Sequence, residues 1–121
     1  MSKLVKAEVL IKEAMEDLNH GCYNKAVSAS YFAIRLLTEH FIPNLTTTKD
    51  DKIANALFRE VERRVNRRKA EEMRYTYLFL FSERKRADHR ADLFEKEEAK
   101  TIVEKAVSFM EELKEIFKAD E

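Results

Sequence analysis

One glycine and one proline in 121 residues leave this chain few places to turn sharply. Sheet proteins need turn residues at short intervals, whereas long helices joined by a few loops do not. The scarcity therefore predicts an all-α fold, a compact bundle of four or five helices. A single domain over residues 1–121 is expected, since the length is ordinary for one domain. Such a chain is long enough to bury a core without disulfide or metal staples. Apolar residues make up 45% and charged residues 38%, a balance that is neither that of a disordered chain nor that of a membrane protein.

Apolar periodicity places the helices. Leu4, Ala7, Ile11, Ala14 or Met15, and Leu18 recur every three or four residues, the spacing of one helix face, with Ser2 positioned to cap and Gly21 to stop the helix. A second helix is expected from Tyr23 or Asn24 to about Phe41. Its apolar residues leave little polar surface, so it is read as central or at an interface. Pro43 ends it, and PNLTTTKDD is the one convincing loop. Thr48 or Asp50 is expected to cap a third helix with the face Ile53, Leu57, Val61 and Val65. The string RRVNRRKAEE lacks an apolar stripe, so helix there is expected to be exposed, bent or interrupted. Helix resumes through Met73, Tyr77 and Leu80, and the run YLFLF is read as helix because its flanks are strong helix formers. The alternating aromatics Tyr75, Tyr77, Phe79 and Phe81 are expected to pack rather than to stack bases. A last helix is expected from about Glu95 to Lys118, with Ile102, Ala106, Phe109, Leu113 and Ile116 or Phe117 inward and acidic residues in its first turn.

Much chemistry is excluded. A single glycine cannot build a phosphate-cradling loop, a dinucleotide fingerprint or a nucleophile elbow. His20, His40 and His89 show no metal-ligand spacing, and the lone Cys22 rules out an internal disulfide framework. No metal and no cofactor are expected. Glu97/Glu98 and Glu111/Glu112 are read as solvent-facing pairs, and His20 as a helix-end cap. The start MSKLVKAEVL alternates charge with apolar residues, unlike a secretory signal, and the longest apolar run falls short of the roughly 20 residues a membrane helix needs. A cytoplasmic location is the expectation.

The formal charge is zero, yet residues 59–90 carry eleven Lys/Arg against six Asp/Glu, while residues 91–121 carry five against ten. Such asymmetry fits either solvated faces with interhelix ion pairs or a basic surface that meets phosphates. Within SERKRADHRAD (residues 82–92), Arg84 and His89 form an R-x4-H string. A guanidinium binds a phosphoryl oxygen bidentately and an imidazole titrates near neutrality, the two groups phosphodiester chemistry needs. The bland alternative is an Arg84–Asp88 ion pair one helical turn apart with His89 merely exposed.

Taken together, AEVLIKEAMEDLNHGCYNKAVSASYFAIRLL (residues 7–37) and FLFSERKRADHRADLFEKEEAKTIVEKAVSFMEELKEIF (residues 79–117) resemble the HEPN family, the higher eukaryote and prokaryote nucleotide-binding domain. The first stretch resembles its opening helix pair, with a G-x-Y turn at Gly21 and Tyr23 and an aromatic pair at Tyr31 and Phe32. The second resembles its R-x-x-A-D-[YH] segment and acidic-starting last helix. The resemblance implies a four- or five-helix bundle, often a homodimer. It implies a toxin-type, metal-independent ribonuclease with Arg84 and His89 as catalytic residues and Arg86, Arg90, Arg67 and Arg68 as contacts to RNA. Lys85 departs from the polar Asn, Asp or His that ribonuclease members usually carry after the arginine. The alternative it implies is a non-catalytic module that binds a nucleotide or acts with a minimal nucleotidyltransferase antitoxin as partner. A third reading, a plain helical scaffold whose basic segment docks on an acidic last helix, comes from the charge pattern alone.

Overall fold

The computed structural model describes residues 2–89 and 92–120, apart from the side chain of Ala119. Among the described residues the chain forms five α-helices and no strand: α1 (Lys3–Asn19), α2 (Tyr23–Phe41), α3 (Asp50–Arg64), α4 (Arg67–His89) and α5 (Lys96–Phe117), closed by a 3-10 turn at Lys118–Asp120. None of these helices is long and apolar enough to cross a membrane.

Local chemistry accounts for both ends of α1 and for the break between α3 and α4. The Ser2 hydroxyl accepts from the Val5 amide at 3.1 Å, satisfying one of the unpaired donors of the first turn. Gly21 sits at φ +75, the left-handed conformation that ends α1 and that a residue with a Cβ adopts only with strain. His20 closes the same end, with Nδ1 2.8 Å from the Glu16 carbonyl. Between α3 and α4 the helix breaks at Val65, and the Asn66 side chain restarts it by accepting from the Lys69 amide at 2.8 Å.

Two expectations about α3 fail for identifiable reasons. Neither Thr48 nor Asp50 caps it. Lys49 is the flanking residue, and the Asp50 carboxylate turns inward to a buried network instead. Val65 does not join the inward face, because the helix has already ended there, leaving it 48% exposed.

Cross-helix pairs define the packing. Lys3 meets Glu39, so α1 and α2 run antiparallel as a hairpin. Arg74 reaches Asn55 and lies over Phe58, while Arg67 reaches Glu62, so α3 and α4 form a second hairpin. Lys69 pairs with Glu112 and Arg86 with Glu98, which sets α5 antiparallel to α4. Phe41 stacks on Phe117, and Asn24 binds the backbone just ahead of α5, so α2 and α5 run parallel. The acidic pairs of α5 are therefore not simply solvent-facing, since Glu98 and Glu112 each hold a cation of α4.

α2 touches α1, α4 and α5 and contributes Ala26, Val27, Ser30, Tyr31, Ala33, Ile34, Leu37 and Thr38 to the interior. The crowded apolar pattern read from its sequence is the pattern of a central helix. Facing it are Ile11 of α1, Tyr77 and Leu80 of α4, and Ile102, Phe109 and Leu113 of α5. Burying a side chain such as Leu113 stabilises the bundle by roughly 1.5–3 kcal/mol relative to leaving it exposed.

Candidate nucleic-acid site

Arg84 and His89 lie on the last two turns of α4, a single uninterrupted helix. Five residues of helix separate them by about 140° around the axis and about 7.5 Å along it, so the two side chains leave on different faces. His89 is exposed at the helix end. Arg84 points back onto α2, where its guanidinium carbon lies 5.0 Å from the centre of the Phe32 ring and 5.5 Å from that of Tyr31. The electron-rich ring faces attract the cation and restrict its rotamers. Its Nε is 2.9 Å from an Asp88 carboxylate oxygen, and that oxygen also accepts from the Ser28 hydroxyl at 3.3 Å. The Arg84 Nε–H is buried and not aligned on any acceptor, so this contact is a charge pair and not an aligned hydrogen bond. Beside the pair opens a shallow cleft of about 540 Å³ between α2 and α4, lined by Lys25, Ser28, Phe32 and Asp88 among others.

The platform under Arg84 is fixed from below. The Tyr31 hydroxyl donates to Asp50 at 2.5 Å, the Tyr77 hydroxyl donates to the same oxygen at 2.7 Å, and Arg35 donates to the Tyr31 oxygen at 3.0 Å. Arg35 also donates to the Thr48 carbonyl at 3.0 Å, tying the connection before α3 to the same cluster. Burial, reinforced by the bond to the Asp50 carboxylate, pushes the Tyr31 hydroxyl up to about 12 and raises Tyr77 as well, so both act as neutral donors at any physiological pH. A buried carboxylate needs such donors, because an unpaired one costs several kcal/mol.

The other end of the motif is fastened by Asn24, in the first turn of α2. Its amide donates to the Ala87 carbonyl at 3.1 Å and to the Asp92 carbonyl at 3.0 Å, and its oxygen accepts from the Phe94 amide at 3.0 Å. One side chain thus satisfies a free carbonyl at the end of α4 and holds the segment leading into α5. Phe94 is buried below, with Arg86 over its ring at 4.3 Å.

The expected RNA contacts are dispersed. Arg86 is bound by Glu98 at 2.8 Å, Glu83 at 3.1 Å and Asp92 at 3.2 Å, and these bonds, Glu98 foremost, raise its pKa. Its guanidinium locks α4 to α5. Arg67 and Arg68 pair with Glu71 and Glu72 at the opposite end of α4, with Arg68 about 24 Å of helix rise from Arg84. Arg90 lies outside the described residues. Lys85, the residue that departs from the ribonuclease pattern, lies 4.9 Å from the centre of the Phe81 ring. Tyr75, expected to pack, is 71% exposed on the outer face of α4.

Sequence reasoning missed the roles of Asn24 and Ser28, which act across 60 or more positions, and of Asp50, which acts across 15 to 27. No local pattern announces such partners. Asp88 was visible only as an i,i+4 partner of Arg84, and Tyr31 and Phe32 only as an aromatic pair.

An all-helical bundle with a central alanine-rich helix and an Arg/His motif closing its fourth helix defines the class. The HEPN domain family model matches residues 3–116, and the chain belongs to that family. HEPN domains are of nucleotide-binding or ribonuclease type and often dimerise. Among curated proteins none matches the chain.

Proposed function

We propose that the chain acts as one HEPN domain that cleaves RNA without a metal, using Arg84 and His89 from two copies of the chain. The observation that carries this reading is the seating of Arg84. It is held on the Tyr31/Phe32 platform at the edge of an open cleft, with the exposed His89 imidazole at the end of the same helix. A guanidinium constrained in this way is pre-organised for the charge that develops on phosphoryl oxygens. The two residues of one chain converge poorly on a single phosphate, so the reading places the site in a homodimer that apposes two α4 ends. In it, His89 takes the proton from the ribose 2′-hydroxyl, the oxygen attacks the adjacent phosphorus as the bond to the 5′-oxygen breaks, and the departing 5′-oxygen takes a proton from water. The products are a 2′,3′-cyclic phosphate and a 5′-hydroxyl end.

A second reading is favoured by the Asp88 contact. Because Arg84 already faces a carboxylate, the motif suits a non-catalytic module that exchanges Asp88 for a nucleotide phosphate or for an acidic group on a nucleotidyltransferase partner. In that reading His89 is incidental.

One experiment separates the two. Purified protein is incubated with single-stranded RNA in EDTA, wild type beside His89→Ala and Arg84→Lys. The cleavage reading expects a loss of roughly 10²–10⁴ for His89→Ala, the usual worth of a general base. It also expects a clear loss for Arg84→Lys, which keeps the charge without the planar fork. Equal rates for wild type and His89→Ala would end it. Light scattering showing a monomer at micromolar concentration would remove the composite site.

A further inference from the structure

The basic stretch read from the sequence is largely neutralised in the fold. Arg63, Arg64, Arg67, Arg68, Lys69, Arg84 and Arg86 all meet carboxylates. Two cations on the outer ridge of α3 stand differently. Among the described residues, neither Lys52 nor Arg59 has a carboxylate within ion-pair range, and both side chains are exposed. They line a cleft of about 600 Å³ between the connection of residues 42–49 and α3.

Seven residues of helix place Lys52 and Arg59 about 10.5 Å apart along one ridge, with Asn55 and Ala56 between them. Both arms are long enough to converge over the small Ala56 side chain. Arg74 donates to the Asn55 carbonyl oxygen at 3.4 Å, which leaves the Asn55 NH₂ group as a donor towards the cleft. Across the cleft, the Thr47 hydroxyl oxygen accepts from the Lys49 amide at 3.0 Å, so its own proton remains to be donated, and Thr46 stands beside it. Glu60 also lines the cleft, but its Oε1 is held by Arg63 at 2.5 Å and Arg64 at 2.6 Å. Those bonds, the Arg64 one first, keep its carboxyl below the usual range, so its charge is already matched. Two cations, an amide and two hydroxyls thus face one solvent-filled space with no unmatched carboxylate lining it.

We propose that this cleft binds a phosphate group, with Lys52 and Arg59 supplying charge and Asn55, Thr46 and Thr47 supplying neutral donors. Ile42 and Leu45 give it an apolar wall on the loop side, suited to the organic part of a phosphorylated ligand. The site is separate from Arg84 and His89 and does not depend on RNA cleavage. The phosphate comes either from a free nucleotide or from the backbone of an RNA strand.

Amide chemical-shift mapping with three probes tests the proposal: inorganic phosphate, adenosine 5′-monophosphate, and a single-stranded 2′-O-methyl oligoribonucleotide with hydroxyl ends, which lacks the 2′-hydroxyl that cleavage needs. The expected result is saturable shifts at Thr46, Thr47, Lys52 and Asn55 with at least one probe at millimolar concentration. Lys52→Gln/Arg59→Gln should weaken that binding at least about tenfold, the worth of one charged hydrogen bond, while His89→Ala leaves it unchanged. Both substituted positions are exposed, and circular dichroism confirms that the double variant is folded. Tighter binding of the mononucleotide identifies a nucleotide site, and tighter binding of the oligonucleotide an RNA track. Shifts confined to residues outside the cleft, no binding of any probe, or a folded double variant whose cleft shifts titrate like wild type would overturn it. Loss of RNA cleavage in His89→Ala bears only on the motif of α4 and leaves this result independent.

Discussion

Replacing Asn24 with alanine removes three hydrogen bonds of 3.0–3.1 Å that join α2 to the end of α4 and the start of α5. The Asp92 carbonyl belongs to an exposed residue and recovers water. The Ala87 carbonyl and the Phe94 amide belong to buried residues and lose their partner. Each such group costs about 1–3 kcal/mol when left unmatched, so Asn24→Ala should destabilise the fold by roughly 2–4 kcal/mol. In a domain of this size that corresponds to a melting temperature lower by on the order of 10 °C. Urea titration followed by circular dichroism measures it, with the midpoint falling and the slope unchanged. Asn24→Asp keeps the acceptor for Phe94 and loses both donors, so it should fall between wild type and alanine. Hydrogen exchange adds a local readout, in which the Phe94 amide loses protection. A loss under about 0.5 kcal/mol, the level of an ordinary surface substitution, with Phe94 still protected, would refute the assignment of Asn24 as the fastener of this corner.

Asp88→Asn removes the charge that occupies Arg84 while keeping an acceptor for Ser28. Oligoribonucleotide affinity measured by fluorescence anisotropy should rise severalfold, and a fall would show that Asp88 positions Arg84 for its ligand. Arg86→Ala should destabilise the fold without changing the salt dependence of RNA binding, whereas Arg84→Ala should make that dependence shallower by about one unit of slope. Tyr31 contributes to alkaline unfolding. Its folded pKa of about 12 lies above its ordinary value of 10, so the stability it adds is fully present below pH 10 and is lost as pH rises through 12. The difference in unfolding free energy between wild type and Tyr31→Phe should shrink by roughly 2–3 kcal/mol across that window, and a constant difference would contradict the network.

The helices were legible because apolar spacing reports which side of a helix faces inward. Ala7, Ile11 and Ala14 are buried on α1, and Ile102, Ala106, Phe109 and Leu113 on α5, as their spacing predicts. Where periodicity overreached, a helix end or an outer face intervened, as at Val65 and Tyr75. The R-x4-H string was legible as text, and its i,i+4 neighbour Asp88 could be paired with Arg84 because a helix places such residues together. What surrounds the string was not. The Phe32 seat of Arg84, the Glu98 contact of Arg86 and the three hydrogen bonds of Asn24 all depend on which helix packs against which. A one-dimensional repeat carries no record of partners 63–70 residues away. The charge asymmetry pointed to residues 59–90, yet most cations there are matched internally, and the unmatched ridge of α3 begins at Lys52, in the stretch whose charges balance on paper.

The contacts that hold the end of α4 have a consequence for synthesis of the chain on the ribosome. The two hairpins, α1–α2 and α3–α4, are assembled from neighbours in sequence and can form as they emerge. The corner that carries His89 cannot be completed so early, because the Phe94 and Glu98 that brace it are made only after the motif itself. Until α5 has left the exit tunnel and docked beside α2, Arg86 lacks Glu98 and the Asn24 oxygen lacks the Phe94 amide. A half-made chain surrounded by ribosomal RNA therefore carries the motif in an unbraced form. The order of elements along the polypeptide delays the finished site until the helix after the motif has been made.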